Sequence, residues 1–385
     1  MTLPRRLVLV VPVTGLAVAV AVALVMLTRE EPAANGGAGA PTSDERAALL
    51  VAEFGTDADR VFLARADDPS ERTLLATISH APDWGINPGA PATTDLVAYT
   101  VLPPGASPDR TSPAELYVLD TSTGETRLLA GDADLLTPPV MDRAGTAVAY
   151  RSNGDVGLQS LVSVDLDTGA RRTLYQVETT FGVFPVGFEA DGRLLFAALS
   201  RAGTELYRAT SADQPPELVV HASDEVARDW QLSPDGGSVS FLAPAIENER
   251  VVHRLQVVDL TDGTPVSVAT ARPPSAVEEF APVWRPDGSG ITVGREAYPD
   301  TSASAVTYPL GTGTPASLPA PARGYDVPAG WSADGDYLAV RSFDGVSAQD
   351  PGTETLVVVT LDGKRVTVTA SSELLFLGWA DGDDE

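Results

Sequence analysis

The side chains able to transfer protons in this chain are three histidines and many carboxylates. The 385 residues include His80, His221 and His253, no cysteine, and 53 Asp plus Glu. A histidine base opposite an acid is the minimum equipment of a proton-transferring enzyme. Without cysteine, disulfides, thiolate metal sites and a cysteine nucleophile are excluded. A three-histidine metal site would need every histidine at one place, and we predict neither metal nor cofactor.

Charge and composition narrow the function classes further. Only 26 Lys plus Arg oppose the acids, which leaves a formal net charge of −27. Nucleic-acid affinity rests on Lys and Arg that displace counterions, so a phosphate-backbone binder is excluded. With 43% hydrophobic and 21% charged residues the chain is not disordered. The 34 glycines and 31 prolines favour many short strands and turns.

Seven aspartates recur at fixed places before polar turns. Such residues commonly hold a turn through hydrogen bonds from backbone N–H groups to the side chain. We therefore interpret these acids as structural and not as a catalytic carboxylate cluster. They are Asp120, Asp165, Asp259, Asp191, Asp235, Asp287 and Asp334.

The elements that must position any site come from an internal repeat. An apolar residue, a short spacer and Asp-Gly recur as WRPDG at 284–288, WSADG at 331–335, FEADG at 188–192 and LSPDG at 232–236. Weaker copies stand at 84–89, 141–145 and 379–382. The terminal glycines of these seven copies lie 44–56 residues apart, a spacing typical of propeller blades.

A second phrase, two β-rich runs joined by a polar turn, falls between the first ones, for example at 116–129, 206–220 and 255–270. Each period then reads as four strands, and we expect the second strands at 96–100, 147–151, 194–198, 239–242, 291–294 and 337–341. One second phrase, at 61–76, has no first phrase before it. We predict that the C-terminal run 374–379 pairs with the N-terminal strands. We favour 47–54 as the second strand, and a short helix capped by Ser43 is the alternative for this segment. The predicted fold is all-β, a seven-bladed β-propeller, with six or eight blades as alternatives.

The phrases APVWRPDGSGITVGR, LSPDGGSVSFLA and AGWSADGDYLAVRS resemble the WD40-like repeats of TolB-type β-propellers. The resemblance covers about residues 47–385. It implies extracytoplasmic protein binding, or the role of a non-catalytic propeller beside a peptidase domain. The G-x-S-x-G nucleophile elbow of such a peptidase is absent from the sequence. TolB itself is cleaved and soluble and has a separate N-terminal α/β domain, so a role in the Tol system is not implied.

The N-terminus predicts a membrane anchor. Residues 7–27 carry no charge, and as a helix they are roughly 31 Å long, enough to span a bilayer. Arg5 and Arg6 precede this run, so the positive-inside rule leaves the N-terminus in the cytoplasm. The predicted organisation is a cytoplasmic N-terminus (1–6), a transmembrane signal anchor (7–27), a flexible linker (28–46) and the propeller (47–385). A cleaved signal peptide is the alternative, and both interpretations export the propeller.

Loops that vary between repeats are where function tends to lie. We expect connections from each fourth strand to the next first strand to share one face with the loops between second and third strands, including a long loop at 243–253. Acids on the first kind of connection would ring the central opening and attract a basic peptide, a cationic protein surface or a divalent cation. These candidate binding residues are Asp132, Asp134, Asp224, Glu225, Asp229, Glu278, Glu279 and Asp326.

The function predicted from these features is binding. We expect a bacterial, membrane-anchored, extracytoplasmic scaffold or sensor for an envelope protein or peptide. One alternative is a propeller enzyme of the lyase, lactonase or cyclotransferase type, with His80, His221 or His253 in the central funnel. Another is a carbohydrate-binding sensor, which would need solvent-facing tryptophans. The five tryptophans follow the repeat, which indicates packing between sheets.

Overall fold

The computed structural model describes residues 47–90, 95–107, 112–154, 157–268, 278–296, 302–369 and 374–380. The predicted cytoplasmic N-terminus, transmembrane helix and linker, residues 1–46, lie outside the described residues. Throughout the described ranges the regular elements are β-strands. These ranges contain no helix that is long and apolar enough to cross a membrane.

The N-terminal half of the described chain forms antiparallel hairpins and meanders. Three strands come first and pair in order: β1 (Ala48–Glu53), β2 (Ala58–Arg65) and β3 (Arg72–Ser79). Two four-strand groups follow, which the single pair Ala133↔Ser152 joins into one sheet. Their strands are β4 (Asn87–Pro88), β5 (Leu96–Val101), β6 (Ala114–Asp120), β7 (Thr126–Ala133), β8 (Val140–Met141), β9 (Ala147–Asn153), β10 (Leu158–Asp165) and β11 (Arg171–Glu178).

The C-terminal half repeats the same plan. One four-stranded sheet contains β12 (Val183–Phe188), β13 (Leu194–Ser200), β14 (Gly203–Ala209) and β15 (Glu217–Ser223), and a three-stranded sheet contains β16 (Arg228–Leu232), β17 (Ser238–Glu247) and β18 (Arg250–Asp259). The following strands are β19 (Glu279–Trp284), β20 (Gly290–Arg295), β21 (Ser302–Ala303), β22 (Val306–Pro309), β23 (Ala316–Ser317), β24 (Gly324–Trp331), β25 (Tyr337–Phe343), β26 (Glu354–Thr360) and β27 (Arg365–Thr369). Of these, β21 does not pair with β20 or β22, the strands next to it in sequence, but pairs in parallel with β24.

The last strand, β28 (Leu374–Ala380), pairs with the first. It runs antiparallel to β1, with Ala52 opposite Leu375 and Leu49 opposite Trp379. On its other side β1 pairs with β2, so one sheet has the order β28-β1-β2-β3. The predicted pairing of the two chain ends is confirmed, and the predicted second strand at 47–54 is β1.

Alternating side chains bury both faces of the sheets. Leu194 and Phe196 on β13 belong to a core cluster with Ala149 and Leu161 of the preceding sheet. The intervening residues Leu195 and Ala197 belong to a cluster with Val239 and Phe241 of the following sheet. Because successive side chains of a strand point to opposite faces, one apolar run supplies two cores.

The strand β1 shows the same division between two cores. Leu49 and Val51 pack in a cluster with Ala339 and Val358 of the sheet that precedes β28. Leu50 and Ala52 pack in a different cluster with Val97 and Tyr99 on β5. The sheet that joins the two chain ends is therefore packed on both faces against sheets from opposite ends of the chain.

The tryptophans of the repeat pack between sheets and also bond across them. Trp284 and Trp331 are buried at 7% and 8% exposure. Their indole N–H groups, and that of Trp379, donate to an acceptor on an inner strand of the preceding sheet. The acceptors are the Gln231 carbonyl at 3.1 Å, Thr292 Oγ1 at 3.0 Å and the Gly330 carbonyl at 2.9 Å, respectively. A large buried aromatic with its polar atom satisfied is a packing residue.

The repeated aspartates hold turns, as their spacing predicts. Asp165 Oδ1 accepts the Thr168 N–H at 2.8 Å and its hydroxyl at 2.7 Å. Asp287 Oδ1 does the same for Ser289, at 3.0 and 2.7 Å. The glycines that end these turns, Gly169 and Gly288, have φ of 71° and 70°, a region that glycine enters without steric cost.

The sheet β16-β17-β18 differs from the prediction in two places. A loop was predicted at 243–253, and this prediction is wrong, because β17 and β18 continue through the segment as a paired hairpin. A tight turn at Asn248 and Glu249 joins the two strands, and these residues have φ values of 48° and 65°. The second half of the phrase at 255–270 was expected to be a fourth strand. Its described part makes only the isolated bridges Val258↔Pro265 and Val268↔Leu310. Pro265 has no N–H to donate, which disfavours a longer ladder there.

Candidate functional site

The structure divides the eight predicted acids among several places, and most already have a partner. Asp132 accepts hydrogen bonds from Tyr150 Oη and Ser152 Oγ, both at 2.9 Å, and from Arg171 Nη2 at 2.7 Å. Burial opposes ionisation of Asp132, but these three donors outweigh it and hold its pKa below the ordinary range. Asp134 lies 2.9 Å from Arg151 Nη2.

The next two acids follow β15 and face solvent. The Asp224 side chain is 97% exposed and lies 3.0 Å from His221 Nε2. Glu225 is exposed, and its backbone carbonyl accepts the Thr204 hydroxyl at 2.7 Å. Of the eight, these two are the carboxylates most open to a partner from outside.

Asp326 and Glu279 are buried and serve the framework. Asp326 is 1% exposed and receives two hydrogen bonds from Arg365, at 2.7 and 2.8 Å. Glu279, 5% exposed, accepts the Leu255 N–H and Tyr308 Oη, both at 2.8 Å. The Leu255 amide belongs to β18, so this carboxylate replaces a ladder partner at the edge of that strand.

The remaining two acids, Asp229 and Glu278, meet at one place together with a histidine and an arginine. Arg228, Asp229, His253 and Glu278 are here called the His253 cluster. Glu278 Oε1 accepts Arg228 Nη2 and His253 Nδ1, both at 2.7 Å, and Oε2 accepts the His253 N–H at 2.9 Å. Asp229 Oδ2 lies 3.7 Å from Arg228 Nη1.

The beginnings of three strands supply the cluster. Arg228 and Asp229 open β16, His253 lies near the start of β18, and Glu278 directly precedes β19. Both inner strands carry a bulge here, between Arg228 and Gln231 on β16 and between Phe280 and Val283 on β19. Within these bulges Asp229 and Ala281 have φ of 56° and 38°, although neither is glycine. Bulges re-aim side chains, and strained residues of this kind concentrate at functional sites.

The environment moves the two carboxyl groups in opposite directions. Burial raises the pKa of Asp229, although Arg228 and His253 oppose the shift, and its side chain keeps 37% exposure. Burial also acts on Glu278, but the bonds from His253 and the charge of Arg228 outweigh it and lower its pKa. Two titratable groups whose environments separate their pKa values suit the roles of acid and base partner.

His253 is oriented for proton transfer. A carboxylate only accepts hydrogen bonds, so Nδ1, which faces Glu278, carries a proton. The side chain is 24% exposed, and among the described residues Nε2 has no hydrogen-bond partner. In the neutral ring Nε2 is then the lone-pair nitrogen, which can accept a proton.

The other two histidines lie elsewhere. His80 follows β3, is completely buried, and lies 3.0 Å through Nε2 from Asp59 Oδ1. His221 on β15 engages the exposed Asp224 through Nε2. Of the three histidines considered for an enzyme, His253 is thus the one whose ring nitrogen is open in the described structure.

Sequence reasoning found Asp229 and Glu278 but missed Arg228 and the partnership with His253. His253 stood in a segment interpreted as a loop, and 25 residues separate it from Glu278. Apolar and polar residues alternate through much of 250–257, as in a strand, and this pattern could have placed His253 on β18. Within the described ranges, no three His, Asp or Glu side chains are grouped so that they could hold a metal ion.

Comparison with known proteins reveals similarity of structure only. No protein family's sequence profile matches the chain, and no curated protein matches it in sequence. Oligogalacturonate lyase from Vibrio parahaemolyticus is similar in structure, with 14% identity over 84% of this chain and 86% of that one and a TM-score of 0.56. A putative 6-phosphogluconolactonase from Bacteroides fragilis has 13% identity over 90% and 100% of the chains and a TM-score of 0.50.

TolB from Acinetobacter baumannii is also among the similar structures. It is 15% identical over 87% of this chain and 66% of its own, with a TM-score of 0.46. At such identities the likeness concerns the fold and carries no function. The chain is therefore an all-β protein of the β-propeller fold, and its predicted resemblance to TolB-type propellers is confirmed at the level of that fold.

Proposed function

We propose that this protein is a seven-bladed propeller that binds an envelope protein or peptide. The count of seven is supported by the core clusters, each of which joins side chains of neighbouring sheets. They continue from the β1 sheet through the middle of the chain to β25 and β26 and back to β1. Splitting the eight-stranded sheet at Ala133↔Ser152 gives four strands on each side, as a blade requires.

The proposed location is outside the cytoplasm, with residues 7–27 as a single-pass anchor and 28–46 as a tether. The uncharged run and the arginines before it support this location. Under this proposal the propeller is presented to envelope partners, and one face of it stands free for binding.

The observation that carries the binding proposal is the tip of the β17–β18 hairpin, residues 246–251. The last pair that β17 makes with β16 is at Leu242, and the hairpin continues beyond it to the pair Glu247↔Arg250. At the tip, Ile246 is 81% and Val251 65% exposed, and the two are opposite each other in the register. Paired apolar side chains on a projecting hairpin suit contact with another protein.

Only a few residues of the predicted acidic rim contribute to this proposal. Asp224 and Glu225 are the most exposed acids of the rim, and Glu249 lies at the hairpin tip itself, so we expect the partner to carry basic residues. The remaining acids of the rim hold bonds within the protein, and their neutralisation would disturb the fold before it disturbed binding.

A photocrosslinking amino acid at position 246 tests the binding proposal in native membranes. The expected result is a discrete protein adduct that is absent when the same group stands at Leu128, which is 52% exposed on the outer strand β7. Equal labelling at both positions, or none at 246, would reject the hairpin tip as a binding surface.

A second candidate function is a propeller enzyme, and the His253 cluster is the specific observation that favours it. Both a lyase and a putative lactonase are among the structural neighbours. The carbohydrate-sensor alternative loses support, because the indoles of Trp284, Trp331 and Trp379 bond across sheet interfaces.

A further inference from the structure

The His253 cluster contains a base whose orientation is fixed from two sides. Glu278 holds the ring through Nδ1 and holds the backbone of the same residue through its N–H. Arg228 shares Oε1 with the ring and fixes the carboxylate in turn. Nε2 therefore presents its lone pair in a set direction, which is the arrangement of a general base with an orienting partner.

Asp229 supplies the complementary group. Its carboxyl is close enough to Arg228 and His253 for their charges to act on it, and burial favours its protonated form. A carboxyl group whose pKa is raised and that lies near an oriented imidazole is suited to return a proton to a leaving group. Asp229 lies within the bulge of β16 and has a φ of 56°, a strained conformation for a residue other than glycine.

The charges around the cluster indicate what kind of molecule it would accept. Arg228 is balanced by Glu278, and Arg250 by Glu296, whose Oε2 lies 3.2 Å from Nη2. Glu296 Oε2 also accepts the Glu278 N–H at 3.5 Å. Each of these arginines is therefore paired with a carboxylate, so an anionic substrate would meet only cations whose charge is already neutralised. An uncharged substrate enters without a desolvated ion.

We propose that the His253 cluster hydrolyses uncharged carboxylic esters or lactones, with His253 as general base and Asp229 as general acid. This inference rests on the second candidate function, that of an enzyme. Arg228 is adjacent to both groups and offsets the negative charge that develops on the carbonyl oxygen. Glu278 is a positioning residue, since it acts through His253.

The atoms balance in one hydrolytic cycle. His253 Nε2 takes a proton from water as the water oxygen bonds to the carbonyl carbon. When the C–O bond to the alcohol breaks, Asp229 gives its proton to the departing oxygen. The imidazolium and the Asp229 carboxylate then exchange the proton, directly or through water, and the starting state returns. The products are a carboxylic acid and an alcohol, or a hydroxy acid from a lactone.

Two probes separate the two roles in the full-length chain. p-Nitrophenyl acetate has a leaving group that departs without a proton, whereas δ-valerolactone releases an alkoxide that needs one. His253→Gln is expected to lower hydrolysis of both probes by about 10²-fold, and Asp229→Asn to lower only that of δ-valerolactone by a similar factor. His221→Gln, which removes an exposed histidine whose Nε2 is already occupied, is the matched control and should change neither rate.

The role of Glu278 has its own readout. Glu278→Gln keeps an acceptor for Nδ1, so it should retain more of the p-nitrophenyl acetate rate than Glu278→Ala. Equal losses in folded Gln and Ala variants would contradict a positioning role. Circular dichroism of each variant checks that the fold is intact.

Modification by diethyl pyrocarbonate distinguishes failure of this inference from failure of the second candidate function. His253 should be carbethoxylated at Nε2 faster than His221, while the buried His80 stays unmodified. If His253 reacts but His253→Gln hydrolyses both probes as fast as the wild type, ester hydrolysis is overturned and the acid–base site stands. If His253 does not react, both are overturned.

Discussion

The buried pair of Asp59 and His80 is expected to be a large single contribution to the stability of the sheet that joins the chain ends. Both side chains are 0% exposed and lie 3.0 Å apart. His80 Nδ1 also donates to the Ala81 carbonyl at 2.8 Å, so both ring nitrogens have a buried oxygen partner. Asp59 also accepts the Ile86 N–H at 2.8 Å and the Gly55 N–H at 3.1 Å.

Replacement of His80 by leucine would leave the Asp59 carboxylate buried with only backbone donors. Removal of one partner from a buried ion pair typically costs about 3–5 kcal/mol, because the other charge stays uncompensated. The double variant Asp59→Asn/His80→Leu removes that charge as well and should recover part of the loss. Urea denaturation of the full-length chain, followed by tryptophan fluorescence, measures the free energy of unfolding for each variant.

The exposed pair of His221 and Asp224 provides the control, since it has the same 3.0 Å separation with side chains 43% and 97% exposed. His221→Leu should change the free energy of unfolding by less than about 1 kcal/mol, the usual limit for an exposed pair. If His80→Leu cost no more than His221→Leu, the inferred contribution of the buried Asp59–His80 contact to stability would be refuted.

Three further substitutions test the packing and the titrating groups. Trp331→Phe removes the buried bond to Thr292 Oγ1 and should lower the free energy of unfolding by about 1–3 kcal/mol in urea titrations. Burial raises the pKa of Asp229, so stability falls as pH rises through the window above its ordinary value. Asp229→Asn should therefore raise Tm at pH 7 and leave it unchanged at about pH 3. Bonds from Ser233 and Gly237 lower the pKa of Asp235, a contribution present above its ordinary value and lost as pH falls. Asp235→Ala should lower Tm at pH 7, and the difference from wild type should shrink below about pH 4.

Much of the framework could be predicted because the same sequence pattern occurs in several copies along the chain. The second strands were expected at 194–198 and 337–341, and the structure has Leu194–Ser200 and Tyr337–Phe343. Alternation of apolar residues indicates these strands, and an Asp-Gly turn precedes each of them, so each copy corroborates the others. The pairing of the chain ends followed from the unmatched phrases at 61–76 and 374–379.

The site was harder to predict, because it depends on departures from the repeat. The extended hairpin around Asn248 and Glu249, and the isolated bridges that stand where a fourth strand was expected after β18, have no counterpart in the repeat pattern. Counting acids on connecting loops selected Asp132 and Asp326, but each has its arginine on another strand, Arg171 on β11 and Arg365 on β27. A one-dimensional sequence does not reveal such partners, and a free carboxylate cannot be told from a paired one without them.

The pairing of β1 with β28 is the central claim, and an engineered disulfide tests it most directly. The chain has no cysteine, so the two thiols of Ala52→Cys/Leu375→Cys have no competitors. These residues are opposite each other in the register, and cross-strand partners are at separations that a disulfide can bridge. Mild oxidation of the full-length chain, with mass spectrometry of its peptides, should give nearly complete cross-linking of 52 to 375. An Ala52→Cys/Leu128→Cys control should stay reduced. Free thiols at both positions of the first variant would contradict closure of the fold by its two chain ends.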